Sequence, residues 1–162
     1  MKTLLKSSLI ATALAFGTLT TTTVFAADEV NLAAAKGQPA GLAVQGYDVI
    51  SYRTNDKPVV GSADFSTEFE GATYRFANQA NLDTFNTDPA HYAPAYGGFC
   101  AYGVSKGKKF EVDPTAYKVV DDVLYLNFNK SIQKKWAKKT DQYISKAETK
   151  WTDIRSVAID DL

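Results

Sequence analysis

Short alternating runs of apolar and polar residues occupy the middle of the chain, and each run ends on a pair of turn-forming residues. Phe65 to Phe69 and Ala72 to Phe76 flank Glu70-Gly71, and Val119-Val120 and Val123 to Phe128 flank Asp121-Asp122. Both arrangements predict β-hairpins. After the first hairpin, Asn78 is placed to cap a short helix that buries Leu82 and Phe85. Asp88-Pro89 then opens a second short helix, carrying His91 and Tyr92, which Pro94 ends. After the second hairpin, Asn129 caps the longest predicted helix, about Lys130 to Trp151, with Ile132, Trp136, Tyr143, Ala147 and Trp151 as its apolar stripe. Its lysines read as a solvated outer face, since Asp141 and Glu148 interrupt them. The runs Tyr47 to Tyr52 and Tyr96 to Gly103 read as strand segments, and Asp113-Pro114 as a turn start before Tyr117.

The two halves of this pattern correspond at an offset of 51 residues. Tyr74 pairs with Tyr125, Asn78 with Asn129, Phe85 with Trp136 and Tyr92 with Tyr143. Either two copies of one unit or two similar hairpin-plus-helix units would look this way. In both cases the expected fold is α+β: a small single domain of antiparallel β-hairpins covered by short helices and a long C-terminal helix. Residues 27–45 read as a loose lead, 46–152 as the domain and 153–162 as a tail.

The first residues follow a different pattern. Lys2 and Lys6 precede an apolar run from Leu9 to Leu19, and Val24-Phe25-Ala26 supplies small residues before Ala27. That order is a cleavable secretory signal over residues 1–26, which predicts a periplasmic or secreted protein after cleavage near Ala26. The apolar run is short of the roughly 20 residues a membrane span needs, and none is expected later. The chain has 18 basic and 18 acidic residues. Without Lys2 and Lys6 the remainder is slightly acidic, which argues against a nucleic-acid partner.

Candidate chemistry is sparse, because the chain has one cysteine, Cys100, and one histidine, His91. No internal disulfide can form, so in an oxidising compartment the thiol must be buried, metal-bound or reactive. Cys100 and His91 are the candidate metal ligands, suited to copper, or to zinc with carboxylates added. Tyr47, Tyr92, Tyr96, Gly97 and Gly98 are candidate contacts to a small ligand, the glycines by allowing close approach. Asp48 reads as turn or strand-edge structure, with a ligand or base role as its alternative. Paired-cysteine, phosphate-loop and Ser-His-Asp signatures are absent, so the reading leans away from an enzyme.

Gly46-Tyr47-Asp48, Gly71 to Asn78, Phe85, Pro89, Tyr92, Tyr96 to Ala101, Asp113-Pro114 and Leu124 to Asn127 together resemble the exported YHS domain-containing proteins, from about Gly46 to Trp151. In related copper-transporting ATPases and metal-sensing modules, cysteines stand at positions that correspond here to Ala77 and Asn81. The name-giving histidine is missing upstream of Gly71, and Val49 replaces the proline usual after Gly-Tyr-Asp. The resemblance implies that the exported branch keeps a Gly-Gly-aromatic-Cys-Ala segment, in some members with selenocysteine where Cys100 stands. The leading expectation is a non-catalytic, copper-type binding protein using Cys100 and His91, with a metal ion or small ligand as partner. The alternatives are a thiol redox protein, with Cys100 catalytic and an external resolving thiol, and an interaction module with an inert Cys100.

Overall fold

The computed structural model describes residues 28–55 and 57–162, so the predicted signal, residues 1–26, lies outside the described residues. Hairpin turns with both central residues left-handed, Glu70-Gly71 and Asp121-Asp122, fold two strand pairs as the sequence predicts. They join β1 (Ser62–Phe69) to β2 (Ala72–Phe76) and β3 (Asp113–Val120) to β4 (Val123–Asn127) in separate antiparallel sheets. Asn78 and Asn129, both extended, accept a hydrogen bond from the backbone N–H three residues on. These caps start α2 (Gln79–Thr87) and α5 (Lys130–Ala137). The α+β class is therefore observed.

The offset of 51 extends to details that composition does not show. β1 pairs Ser62 with Phe76, then shifts register so that Ser66 faces Arg75. β3 pairs Asp113 with Asn127, then shifts so that Tyr117 faces Leu126. The bulge falls at the same place in both hairpins. Ahead of each lies a tight left-handed pair, Val44-Gln45 and Tyr96-Gly97, followed by a left-handed glycine, Gly46 or Gly98. One-turn helices follow, α1 (Ser51–Thr54) and α4 (Ala101–Val104). Each unit closes with a further helix, α3 (Pro89–Tyr92) or α6 (Thr140–Ile154). The fold is one unit built twice.

Three expectations are corrected. Tyr47 to Tyr52 and Tyr96 to Gly103 are not strands, although Tyr47 makes one isolated bridge to Val60. Their aromatic and β-branched side chains are used instead to bury a left-handed turn and a one-turn helix against the sheet, which overrides strand propensity. Asp113-Pro114 begins β3 rather than a turn. The long helix is two helices, because Lys138 ends α5 and Lys139 leaves helical geometry before Thr140. Trp136 is thereby directed into its own unit while Ala147 and Ile154 are buried by α6. The break stands where Asp88 separates α2 from α3 in the first unit.

The two cores meet on β4. Leu124 and Leu126 pack with Tyr74, Phe76 and Phe85 of the first unit, and Tyr125 packs with Trp136 and Ala147 of the second. Residues 28–41 have no regular helix or strand, yet they are docked. Asn31 binds the Gly97 carbonyl through its N–H at 2.8 Å and the Gly98 carbonyl through Nδ2 at 3.2 Å. A Cβ on Gly97 would stand 1.9 Å from the Glu29 carbonyl oxygen. The buried Lys109 ammonium donates to the carbonyls of Asp28, Arg155 and Val157 at 2.7, 2.8 and 2.7 Å. Both ends of the described chain are thus tied to one cation, whose pKa burial holds below the usual lysine value against the opposing pull of Asp28 and Glu29.

Candidate functional site around Cys100 and Asp48

Cys100 sits immediately before α4 and is 1 % exposed. Its Sγ accepts the Gly103 N–H at 3.4 Å and, across the unit, the Phe128 N–H just beyond β4 at 3.2 Å. Its own N–H donates to the Phe110 carbonyl at 3.1 Å. Burial pushes the thiol pKa up, and the N–H groups of Gly103, Phe128 and Tyr102 pull against that without prevailing. A thiol in this setting is a weak nucleophile, since the thiolate is the reactive form.

The first unit explains the shape of the site. Asp48, fully buried, occupies the place of Cys100. Its Oδ1 accepts the Ile50 and Ser51 N–H groups at 2.8 and 3.3 Å, and its Oδ2 accepts the Ala77 N–H at 2.9 Å. Ile50, Ser51 and Ala77 are the counterparts of Tyr102, Gly103 and Phe128. The N–H of Asp48 donates to the Val59 carbonyl at 2.9 Å, as that of Cys100 does to Phe110. Asn81 adds a fourth donor, Nδ2 to Oδ2 at 2.6 Å. Both residues close the same joint, pinning the start of a one-turn helix to the chain leaving the hairpin, one with a carboxylate and the other with sulfur. Sequence reading gave Asp48 turn or strand-edge structure, with a ligand or base role as the alternative, and missed this role, which the shared 52-residue spacing of the Gly-aromatic-Asp and Gly-aromatic-Cys segments signals.

His91 lies elsewhere. It is exposed, and its Nε2 is 2.7 Å from Oδ2 of Asp122 in the β3–β4 turn. Cys100 Sγ contacts Phe128 beyond the other end of β4. From Asp122 to Phe128 the strand advances roughly 20 Å at about 3.3 Å per residue. That is far more than the two side chains can bridge. The fold therefore does not bring Cys100 and His91, the two candidate metal ligands, together. Among the described residues no group of three or more His, Cys, Asp or Glu is placed to hold a metal ion.

His91 instead belongs to a clasp between the units. Arg53 on α1 binds the Asp122 carboxylate through Nε at 3.0 Å and its carbonyl through Nη2 at 2.8 Å. The same guanidinium lies 5.5 Å from the centre of the Tyr92 ring. The hydrogen bond from His91, ahead of the charge of Arg53, holds the Asp122 carboxyl below the usual carboxylate range. In His91→Ala, the Asp122 carboxyl should titrate at higher pH than in the parent protein, measured by carbon-detected NMR. An unmoved titration would remove His91 from the clasp.

The remaining candidates do not converge. Tyr96 and Gly97 border a small cleft with Glu29, Phe69 and Trp151. Gly97 and Gly98 receive the chain's own N-terminal segment at their backbone, which accounts for the glycines without a ligand. Tyr92 faces Arg53, and Tyr47 packs against the first core. The hydroxyl of Tyr96 donates to Glu148 at 3.1 Å, and burial together with that carboxylate pushes its pKa up. A larger cleft of about 700 Å³ lies between residues 28–33, the first hairpin turn and the end of α6, where Glu29, Glu70 and Glu111 surround Arg155. Cys100 and His91 do not line it.

Taken as a class, the molecule is a tandem of two hairpin-and-helix units, each closed by one buried side-chain acceptor. Residues 50–96 match the family model of the YHS domain, so a YHS domain is present there. The matched segment begins just before α1 and ends at Tyr96, which makes it most of the first unit, and Cys100 falls outside it. No curated protein and no solved structure matches the chain. YHS domains are generally associated with binding metals, copper among them. Among the described residues no helix is long and apolar enough to cross a membrane.

Proposed function

We propose that the protein is an exported, non-catalytic binding module made of two YHS-type units, in which Cys100 is a closing element of the fold. The observation that carries this reading is the equivalence of Cys100 with Asp48: the same joint, the same burial, and two backbone donors, Gly103 and Phe128, that are the counterparts of Ser51 and Ala77. Sγ offers neither an open face nor a lowered pKa, so thiol redox catalysis has no support in the geometry. Export rests on the pattern of residues 1–26, and the single domain on the cores that meet along β4. The cleft around Arg155 is a concave surface open to a small ligand.

A second reading is favoured by the YHS match itself. In it the protein holds a transition metal, copper or zinc, with Cys100 as its one soft donor and the other ligands supplied from outside the chain. The joint must open for the sulfur to be reached. One experiment separates the two. Metal-free protein is melted with and without Cu(I) or Zn(II), and the same is done with Cys100→Ser. A ligand of the folded state raises the melting temperature, by several degrees at a hundredfold excess over Kd for a domain of this size. The capping reading expects no shift in either protein. A rise confined to the parent protein overturns it in favour of the metal.

A further inference from the structure

Three of the buried side-chain polar atoms that lack a hydrogen-bond partner belong to two residues of the second unit: Oδ1 and Nδ2 of Asn127 and Nε1 of Trp136. Both side chains are fully buried. At the corresponding positions the first unit has Phe76 and Phe85, also fully buried, with ring centres 5.1 Å apart. The surroundings correspond as well. Tyr74 stacks on Phe85 at 4.7 Å, and Tyr125 lies 5.4 Å from Trp136. Asn127 is two residues beyond Tyr125 on β4 and so projects from the same face, towards α5 and Trp136. An apolar pair in one unit is replaced at the same place by an amide and an indole N–H in the other.

Buried polar groups are almost always paired, because leaving them unpaired forfeits their hydration without return. Asparagine is smaller than the phenylalanine it replaces, and the larger indole takes back only part of the freed volume. The three unpaired atoms comprise two donor groups and one acceptor. One water molecule, accepting from Nδ2 and Nε1 and donating to Oδ1, satisfies all three, and about three hydrogen bonds is the usual number for an internal water. We infer that Asn127 and Trp136 form a built-in site for a single buried water between β4 and α5. The site adjoins Cys100, since the Phe128 N–H that reaches Sγ is part of the peptide that begins at Asn127.

The test uses the full folded domain. The indole proton of Trp136, assigned against Trp151→Phe, should show a nuclear Overhauser cross-peak of the sign of a long-lived bound water, and Asn127→Leu should abolish it. Asn127→Leu should also lower the melting temperature, because it expels the water and leaves Nε1 unpaired. The double variant Asn127→Phe with Trp136→Phe, which copies the first unit, should lower the melting temperature less than Asn127→Leu does. Absence of the cross-peak in the parent protein overturns the proposal. So does a rise in melting temperature for Asn127→Leu, the result expected of an amide that is merely unpaired.

Discussion

Asp48→Ala is expected to lower the unfolding free energy by about 3–5 kcal/mol, read as a shift in the urea midpoint. The carboxylate receives four donors, from Ile50, Ser51, Ala77 and Asn81. Alanine leaves the buried Ile50 N–H without its acceptor and removes that of the Ala77 N–H, while the Ser51 N–H keeps the Asp48 carbonyl at 3.1 Å; an unpaired group that water cannot reach costs about 1–3 kcal/mol. Asn81 is partly exposed and can turn to solvent, so its share is small. The total is a large fraction of the 5–15 kcal/mol that holds a typical domain together. Asp48→Cys is the informative companion, since it installs the second unit's solution in the first. A sulfur accepts hydrogen bonds only weakly, so it should recover part of the loss. A midpoint change worth less than about 1 kcal/mol for Asp48→Ala would show that the joint does not depend on its acceptor.

Local rules carried much of the fold. Glu70-Gly71 and Asp121-Asp122 favour left-handed turns, alternation sets the strands, and Asn78 and Asn129 cap helices by a bond that spans three residues. Each of these depends on neighbours in sequence, so each is legible there. The segments Tyr47 to Tyr52 and Tyr96 to Gly103 are not, because their shape is fixed by burial against β2 and β4 from a distance. The break between α5 and α6 is hidden for a related reason. Neither proline nor glycine marks Lys138-Lys139, and the apolar stripe from Ile132 to Trp151 continues in phase through it.

The site was harder to read than the fold. Cys100 stands out in the sequence because it is a cysteine with no partner for a disulfide, and its explanation lies 52 residues earlier in a residue of different chemistry. Carboxylate and thiol share only the capacity to accept a hydrogen bond, which residue type alone does not display. The spacing is 52 residues at the cap and 51 at the hairpin, so the connection between them is one residue shorter in the second unit. Where His91 would sit relative to Cys100 is not legible in their spacing, and the fold sets the two at opposite ends of β4.

Cys100 in the native protein should react with a thiol reagent at least 10³-fold more slowly than in urea-unfolded protein. The sulfur is 1 % exposed and held by Gly103 and Phe128, so labelling must await separation of α4 from the chain leaving β4. An opening that costs about 4 kcal/mol, within the range of local unfolding, gives that factor at 1.4 kcal/mol per tenfold. The pH dependence has a definite sign. The folded thiol has a pKa above its unfolded value. Its contribution to stability is therefore complete below the unfolded pKa and is lost as pH rises towards the folded one, because the unfolded chain ionises first. The parent protein should lose stability as pH rises above the unfolded thiol value of roughly 8.5 by a component that Cys100→Ser lacks. Labelling within tenfold of the unfolded rate, with no such alkaline component, would mean that the sulfur is open in solution. Cys100 would then be a candidate for metal binding or redox chemistry rather than the counterpart of Asp48.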